Sequence, residues 1–300
     1  MSPSPHFARS ITLTLLGTGT PIPDRDRHGP SQVLELDGDV VLIDCGAGTL
    51  HRFLEAGSNV NAISHILLTH LHSDHVSGLN DFLWAGWVGR WWVGAPPLLV
   101  GPPGTTEFVE RLLHAFEEDI RLRTEEGAVT RSDLMPKIVE LEDGWSLNRG
   151  DWHMVAFAVD HKPVQHAFGF RFELDGQAVV ISGDTRMCDN VVKYAEQADI
   201  LVHEVAWEKG MKLAITQSEG VERARFERIF SYHTSSLEIG EISVLADVKH
   251  LVLSHLMLAG GKPEDLISDV RQSFQGQVTV GYDLAKFSTL PNSTSLESGG

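Results

Sequence analysis

Three hundred residues, 42% of them apolar and 22% charged, suffice for a sizeable core, as one large α/β domain or two smaller ones. No apolar stretch approaches the roughly 20 residues of a membrane span, so no membrane partner is expected. Acidic residues outnumber basic ones 41 to 24, a formal net charge of -17, which argues against a nucleic-acid partner because polyanions are held by basic surface.

In chain order, MSPSPHFARSITLTLLG lacks a basic region followed by an apolar run and a cleavage site, so no signal peptide is read and residues 1–10 form an N-terminal extension. Two cysteines, Cys45 and Cys188, make no disulfide framework and fit a reducing cytoplasm. ITLTLL (11–16) reads as a strand ending in a Gly-Thr-Gly turn, and VLELDGDVVLIDCGAG (33–48) as a hairpin with Asp37-Gly38 at its tip. TLHRFLEAG is a helix stopped by Gly57, and ISHILLT (63–69) a buried strand. In DFLWAGWVGRWWVGAPP (81–97), Trp84, Trp87, Trp91 and Trp92 fall at i, i+3, i+7 and i+8, one helix face. That face is core or a homodimer interface, or else an apolar pocket wall that selects an aromatic substrate.

GFRFELDGQAVVISGDTR (169–186) is a second hairpin, turning at Asp175-Gly176. Its FELDGQAVVISGD nearly coincides with LELDGDVVLIDCG (34–46), which points either to two related β-rich halves facing each other or to chance likeness between Asp-Gly hairpins. The densest basic stretch, ERARFERIF (222–230), alternates with acids and reads as a solvated helix face. STLPNSTSLESGG (288–300) reads as a disordered tail. With no linker in between, residues 11–287 are expected to be one domain, and strands mixed with helices favour an α/β sandwich.

LLTHLHSDHVSGL (67–79) places His70, His72, Asp74 and His75 where a strand ends. Solvated turns do not need three imidazoles; nitrogen and carboxylate donors at this density suit zinc, and also manganese or iron. So small a cluster does not close two metal sites, and three distant residues can complete them. His161 in AVDHKPV, Asp184 in VVISGD and His255 in HLVLSH each stand where an apolar strand stops, and each is costly to bury without a partner.

The order H-x-H-x-D-H, His, SGDT and a strand ending in His resembles the metallo-β-lactamase superfamily, as do LLGTGTP and LIDCGAGT near the N-terminus. Within it the chain looks like the ribonuclease Z and arylsulfatase branch. The resemblance implies a four-layer αββα sandwich with the site along one sheet edge. It also implies two zinc ions, one on His70, His72, His161 and Asp184, the other on Asp74, His75, Asp184 and His255, with Asp184 bridging. GPPGTTEFVERLL (101–113) and YHTSSLEIGEI (232–242) are similar to that branch's glycine-rich segment and histidine loop. The latter makes His233 the expected catalytic histidine outside the metal shell, and Glu204 in ADILVHEV matches the branch's glutamate that orients it; Asp74 can position the attacking water as well as hold metal. His203 is read as structural; His166 lines the pocket or only packs.

Two metals a few ångströms apart lower the pKa of a water between them toward neutrality, so metal-assisted hydrolysis is expected. The favoured substrate is a small, aromatic sulfate or phosphate ester. The alternatives are a ribonuclease Z-type tRNA 3'-processing endonuclease and a non-catalytic metal-binding sensor or scaffold. Against the endonuclease stand PIPDRDRHGP (21–30), which lacks the lysine and asparagine of the branch's P-x-K-x-R-N loop, and the acidic HAFEEDIRLRTEEG (114–127) where a Gly- and Lys-rich arm would grip tRNA.

Overall fold

The computed structural model describes residues 9–92 and 96–290. Residues 1–8 of the expected extension, 93–95 of the tryptophan-rich stretch and 291–300 of the expected tail lie outside the described residues.

The first sheet contains β1 (Thr12–Gly17), β2 (Ser31–Leu36), β3 (Asp39–Ile43), β4 (Ile63–Leu67), β5 (Leu98–Gly101) and β6 (Ile138–Glu140). The second contains β7 (Ser146–Arg149), β8 (Trp152–Ala158), β9 (Phe168–Leu174), β10 (Gln177–Ile181), β11 (Ile200–Ala206), β12 (His250–Met257) and β13 (Gln277–Val280). The chain then returns to the first sheet as β14 (Lys286–Ser288), giving the orders β14-β1-β2-β3-β4-β5-β6 and β13-β12-β11-β10-β9-β8-β7. Pairing matches strand for strand: β14, β1, β2 and β3 are joined antiparallel and β3 to β6 parallel, just as β7 to β10 are antiparallel and β10 to β13 parallel. The two similar hairpins are β2–β3 and β9–β10, at corresponding places. Asp37 and Asp175 take left-handed backbone at the two tips, and Arg9 joins them, 2.6 Å from Asp37 and 3.0 Å from Asp175.

Between the sheets lies an apolar layer including Leu13, Val41, Ile43, Phe170, Phe172 and Val202. Outside the first sheet pack α1 (Thr49–Glu55), α3 (Leu79–Gly89), α4 (Thr105–Ala115) and α5 (Glu117–Glu125), after the short α2 (Ser73–Val76). Outside the second pack α6 (Asp189–Tyr194), α9 (Ser236–Leu245) and α10 (Pro263–Val270), while α7 (Glu208–Gln217) and α8 (Gly220–Ser231) form a helical pair between β11 and α9. The architecture is the expected αββα sandwich. Pairing reaches Ser288, opposite Thr12, and Thr289 N–H donates to the Ile11 carbonyl, so the sheet continues past residue 287.

The tryptophan stripe does not continue as one helix face. Helix α3 stops at Gly89, Arg90 turns into left-handed backbone, and Trp91 and Trp92 fold back on Gly89 and Gly86. Trp87 is buried in the outer core with its Nε1–H donating to the Thr130 carbonyl at 2.8 Å. Trp84 packs on Phe116 and donates to Asp119 at 3.2 Å. This face closes on α4 and α5, so we expect Trp87→Ala to cost about 3–5 kcal/mol of stability, read from the urea midpoint. A loss below about 1 kcal/mol, within the range of surface changes, would contradict the packing.

Candidate metal centre

The seven residues expected to hold metal converge at one edge of the two sheets. His70 and His72 extend beyond β4 with ring centroids 4.7 Å apart, and α2 then supplies Asp74 and His75. The turn fits because Gly46 lets the loop after β3 approach closely: a Cβ there would lie 2.3 Å from the Asp74 carbonyl oxygen. His161 follows β8 and Asp184 follows β10. His255 lies inside β12, where pairing passes from Glu204–Ser254 to Val205–Leu256 and leaves it as the extra, left-handed residue of a bulge. Bulges re-aim side chains, and this one turns the imidazole into the site.

Asp184 is the point of convergence. Its Oδ2 lies 3.4 Å from Nε2 of both His75 and His255, and 3.9 Å from Nε2 of both His70 and His161. Asp74 Oδ2 stands 3.3 Å from His255 Nε2 and 3.6 Å from His75 Nε2. Donors of His70, His72, His161 and Asp184 lie within 4.8 Å of one another, as do those of Asp74, His75 and His255. Among the described residues the buried Nε2 atoms of His70 and His75 have no hydrogen-bond partner. Unpaired buried polar nitrogens are costly, and a cation among them removes that cost. The donor set therefore fits a metal.

Three of the opposite ring nitrogens, those of His70, His75 and His161, are held from behind. His75 Nδ1–H donates to Asp44 Oδ2 at 2.8 Å, and His161 Nδ1–H to the Tyr232 carbonyl at 3.0 Å. Asp44 Oδ1 accepts the Thr69 N–H at 2.8 Å, and the Thr69 hydroxyl bonds both Asp44 and His70 Nδ1. Such bonds fix tautomer and ring orientation. Asp44 was not among the site residues the sequence pointed to, although it directly follows the first hairpin in LIDCG.

Burial pushes His70 well below its ordinary pKa and lowers His72 and His161 too, keeping them neutral and ready to ligate. At His75 burial also disfavours charge, but Asp184 and Asp44 outweigh it and raise the imidazole well above its usual value. Asp184 is held well below the carboxylate range, because His255 and His75 overcome the effect of burial.

Beside this centre His233 is buried, its Nδ1–H donating to Glu204 Oε1 at 2.9 Å and its ring stacked on His255 at 5.5 Å. Glu204 Oε1 also accepts the N–H groups of Thr185 and Thr234, each at 3.1 Å, which fixes the carboxylate. Burial would lower His233, but Glu204 prevails and raises it. His203 is buried on the far side of its strand, bonded to the Glu204 carbonyl.

The centre opens into a cavity of about 640 Å³ lined by His72, Asp74, Asp184, His233 and His255. Its walls are the loop of residues 19–27 and residues of α7, α8 and the strand end, among them Met211, Phe226, Ile229, Tyr232 and Met257. Trp84, Trp87 and Trp91 are not among the lining residues, and His166 is exposed on the loop after His161. The apolar wall comes instead from α7 and α8.

A family model described as Anti-Pycsar protein Apyc1 matches residues 11–233. Ribonuclease Z of Mycobacterium bovis (strain BCG / Pasteur 1173P2) is 37% identical over 284 residues, 94% of this chain and 99% of that protein. The chain belongs to the ribonuclease Z family and to the family of that model. Among solved structures, the metallo-β-lactamase fold protein YhfI from Bacillus subtilis superposes with a TM-score of 0.72 at 18% identity, over 93% of this chain and 99% of that one. Human tRNase Z, short form, gives 0.68 at 23% identity, over 93% and 100%. The fold is that of the metallo-β-lactamases, and the protein is a metal-dependent hydrolase.

Two expectations are corrected here. The small aromatic ester and the argument against a nucleic-acid partner are overturned by a relative that is a ribonuclease along nearly its whole length. The ester rested on tryptophans that pack away from the cavity. The missing arm carried no weight, because the alignment takes in 99% of a ribonuclease Z, leaving no room for a long extra segment there.

Removing Asp44 leaves all seven candidate ligands in the chain but frees the His75 ring. Asp44→Ala should therefore weaken metal retention about 10- to 100-fold, measured by dialysis against graded chelator. Retention equal to the parent would remove Asp44 from this role.

Proposed function

We propose that the protein is a ribonuclease Z-type endonuclease that hydrolyses a phosphodiester of precursor tRNA beside the acceptor stem. The observation that carries this reading is the His233–Glu204 pair set against the Asp184-centred ligands at the floor of one open cleft, in a chain of the ribonuclease Z family. His70, His72, His161 and Asp184 would hold one metal ion, and Asp74, His75, Asp184 and His255 a second. Zinc suits these donors best, with manganese or iron also compatible. When bound, the metal supplies water activated near neutral pH and offsets charge developing on the phosphate.

The chain's own groups do the rest. Asp74, at the cleft face, orients the attacking water. Asp184 and Asp74 bring negative charge that draws the cations in, while His70, His72 and His161, kept neutral by burial, add donors without adding charge. His233 keeps its Nδ1–H on Glu204, which leaves Nε2 for the substrate. Because its pKa is raised, the imidazolium persists to higher pH than in a free histidine and can give a proton to the departing ribose oxygen. That proton is lost as pH rises through the raised value. Glu204 acts through His233 by fixing the ring, and its own position is set by the Thr185 and Thr234 amides.

A ribose oxygen is a poor leaving group without a proton. His233→Ala should lower kcat on precursor tRNA by roughly 10²- to 10⁴-fold while metal content stays at the parent level, and Glu204→Gln should act in the same direction more mildly. Purified, metal-loaded protein that leaves precursor tRNA intact would overturn the proposal. A His233→Ala enzyme with parental kcat would remove that residue from proton transfer.

A further inference from the structure

An acidic protein that binds RNA needs local basic groups to hold phosphate, and one wall of the cleft carries an unpaired arginine. On α8, Arg225, Phe226 and Ile229, with Tyr232 just beyond, fall at i, i+1, i+4 and i+7 and form a stripe along the cavity wall. Arg223 lies off that stripe, bonded to Glu227 at 3.0 Å. Among the described residues neither Arg225 nor Arg228 has an ion-pair partner, and both act electrostatically on the Tyr232 hydroxyl. The cavity's other arginine, Arg27, is already bonded to the Thr18 hydroxyl at 2.6 Å and the Gly281 carbonyl at 2.8 Å. A guanidinium left unpaired on a wall beside a phosphodiester-cleaving centre is suited to a second phosphate. Aromatic faces beside it are suited to a base, since single strands are held by combining both contacts.

We propose that α8 is the RNA-strand contact of this enzyme: Arg225 binds a phosphate flanking the scissile one, Arg228 continues the track outward, and Tyr232 and Phe226 offer the face on which the adjoining base stacks. The inference rests on the endonuclease reading above. It also changes the meaning of ERARFERIF. Its alternation of signs looks like a solvated face in one dimension, but the helix sorts it into a paired side with Arg223 and Glu227 and an unpaired side with Arg225 and Arg228.

The test is cleavage of a precursor tRNA transcript at several salt concentrations by the metal-loaded parent, Arg225→Gln, Arg225→Gln/Arg228→Gln, Arg225→Lys and Arg223→Gln. Each lost phosphate contact should raise KM by about tenfold and flatten the slope of log KM against log salt by about 0.7. The loss should fall on KM more than on kcat. Arg225→Lys should recover most of the salt slope, because it restores the charge, and Arg223→Gln should track the parent. A parent that cleaves the transcript alongside Arg225→Gln with unaltered KM and slope overturns the contact and leaves the endonuclease reading standing. Equal losses in Arg225→Gln and Arg223→Gln also overturn it, since any surface charge would then serve. A parent that does not cleave removes both.

Discussion

One carboxylate oxygen, Asp184 Oδ2, lies within 3.4–3.9 Å of four imidazole nitrogens carried by three separate segments of the chain. Burying that anion, or those rings, alone would be expensive. Together they define a place where each group's cost is met by the others and by a cation. The surrounding structure is arranged to keep that convergence. Asp44 and Thr69 hold the rings of the HLHSDH turn from behind, and the bulge in β12 spares one residue from the ladder so that His255 can turn inward.

The sheets explain why the convergence occurs where it does. Each half of the chain makes an antiparallel hairpin followed by parallel strands, and the two halves face each other across an apolar layer. Strand ends that correspond in the two halves therefore meet at one edge. Asp44, one residue past β3, and Asp184, three residues past β10, divide the work: Asp44 accepts from the back of His75 while Asp184 faces its front. A chain that repeats its hairpin thus carries one acid past the second strand of each, one to orient and one to ligate.

Local patterns made much of this legible in the sequence. H-x-H-x-D-H is dense enough to demand a cation, and His161, Asp184 and His255 each close an apolar run, so the ligand candidates could be named before any contact was known. Both Asp-Gly hairpins were visible for the same reason. What escaped depends on three-dimensional sorting. The tryptophan spacing continues a helical period beyond Arg90, where the backbone has already turned left-handed, and spacing alone cannot say which side of a helix another element covers. Asp44 was invisible as an orienting group because its partner is thirty-one positions away. Net charge misled most: it averages over the whole surface, whereas a ligand meets only one wall, and α8 places the unpaired Arg225 on the cavity wall.

The account stands on Asp184 being shared by two metal ions. Crystals of the zinc-loaded protein, measured at the zinc absorption edge, test that most directly. The account predicts two anomalous peaks about 3.5–4 Å apart, both in contact with the Asp184 carboxylate, one beside His70, His72 and His161 and the other beside Asp74, His75 and His255. A single peak in fully loaded crystals, or a pair of which one does not touch Asp184, would contradict it.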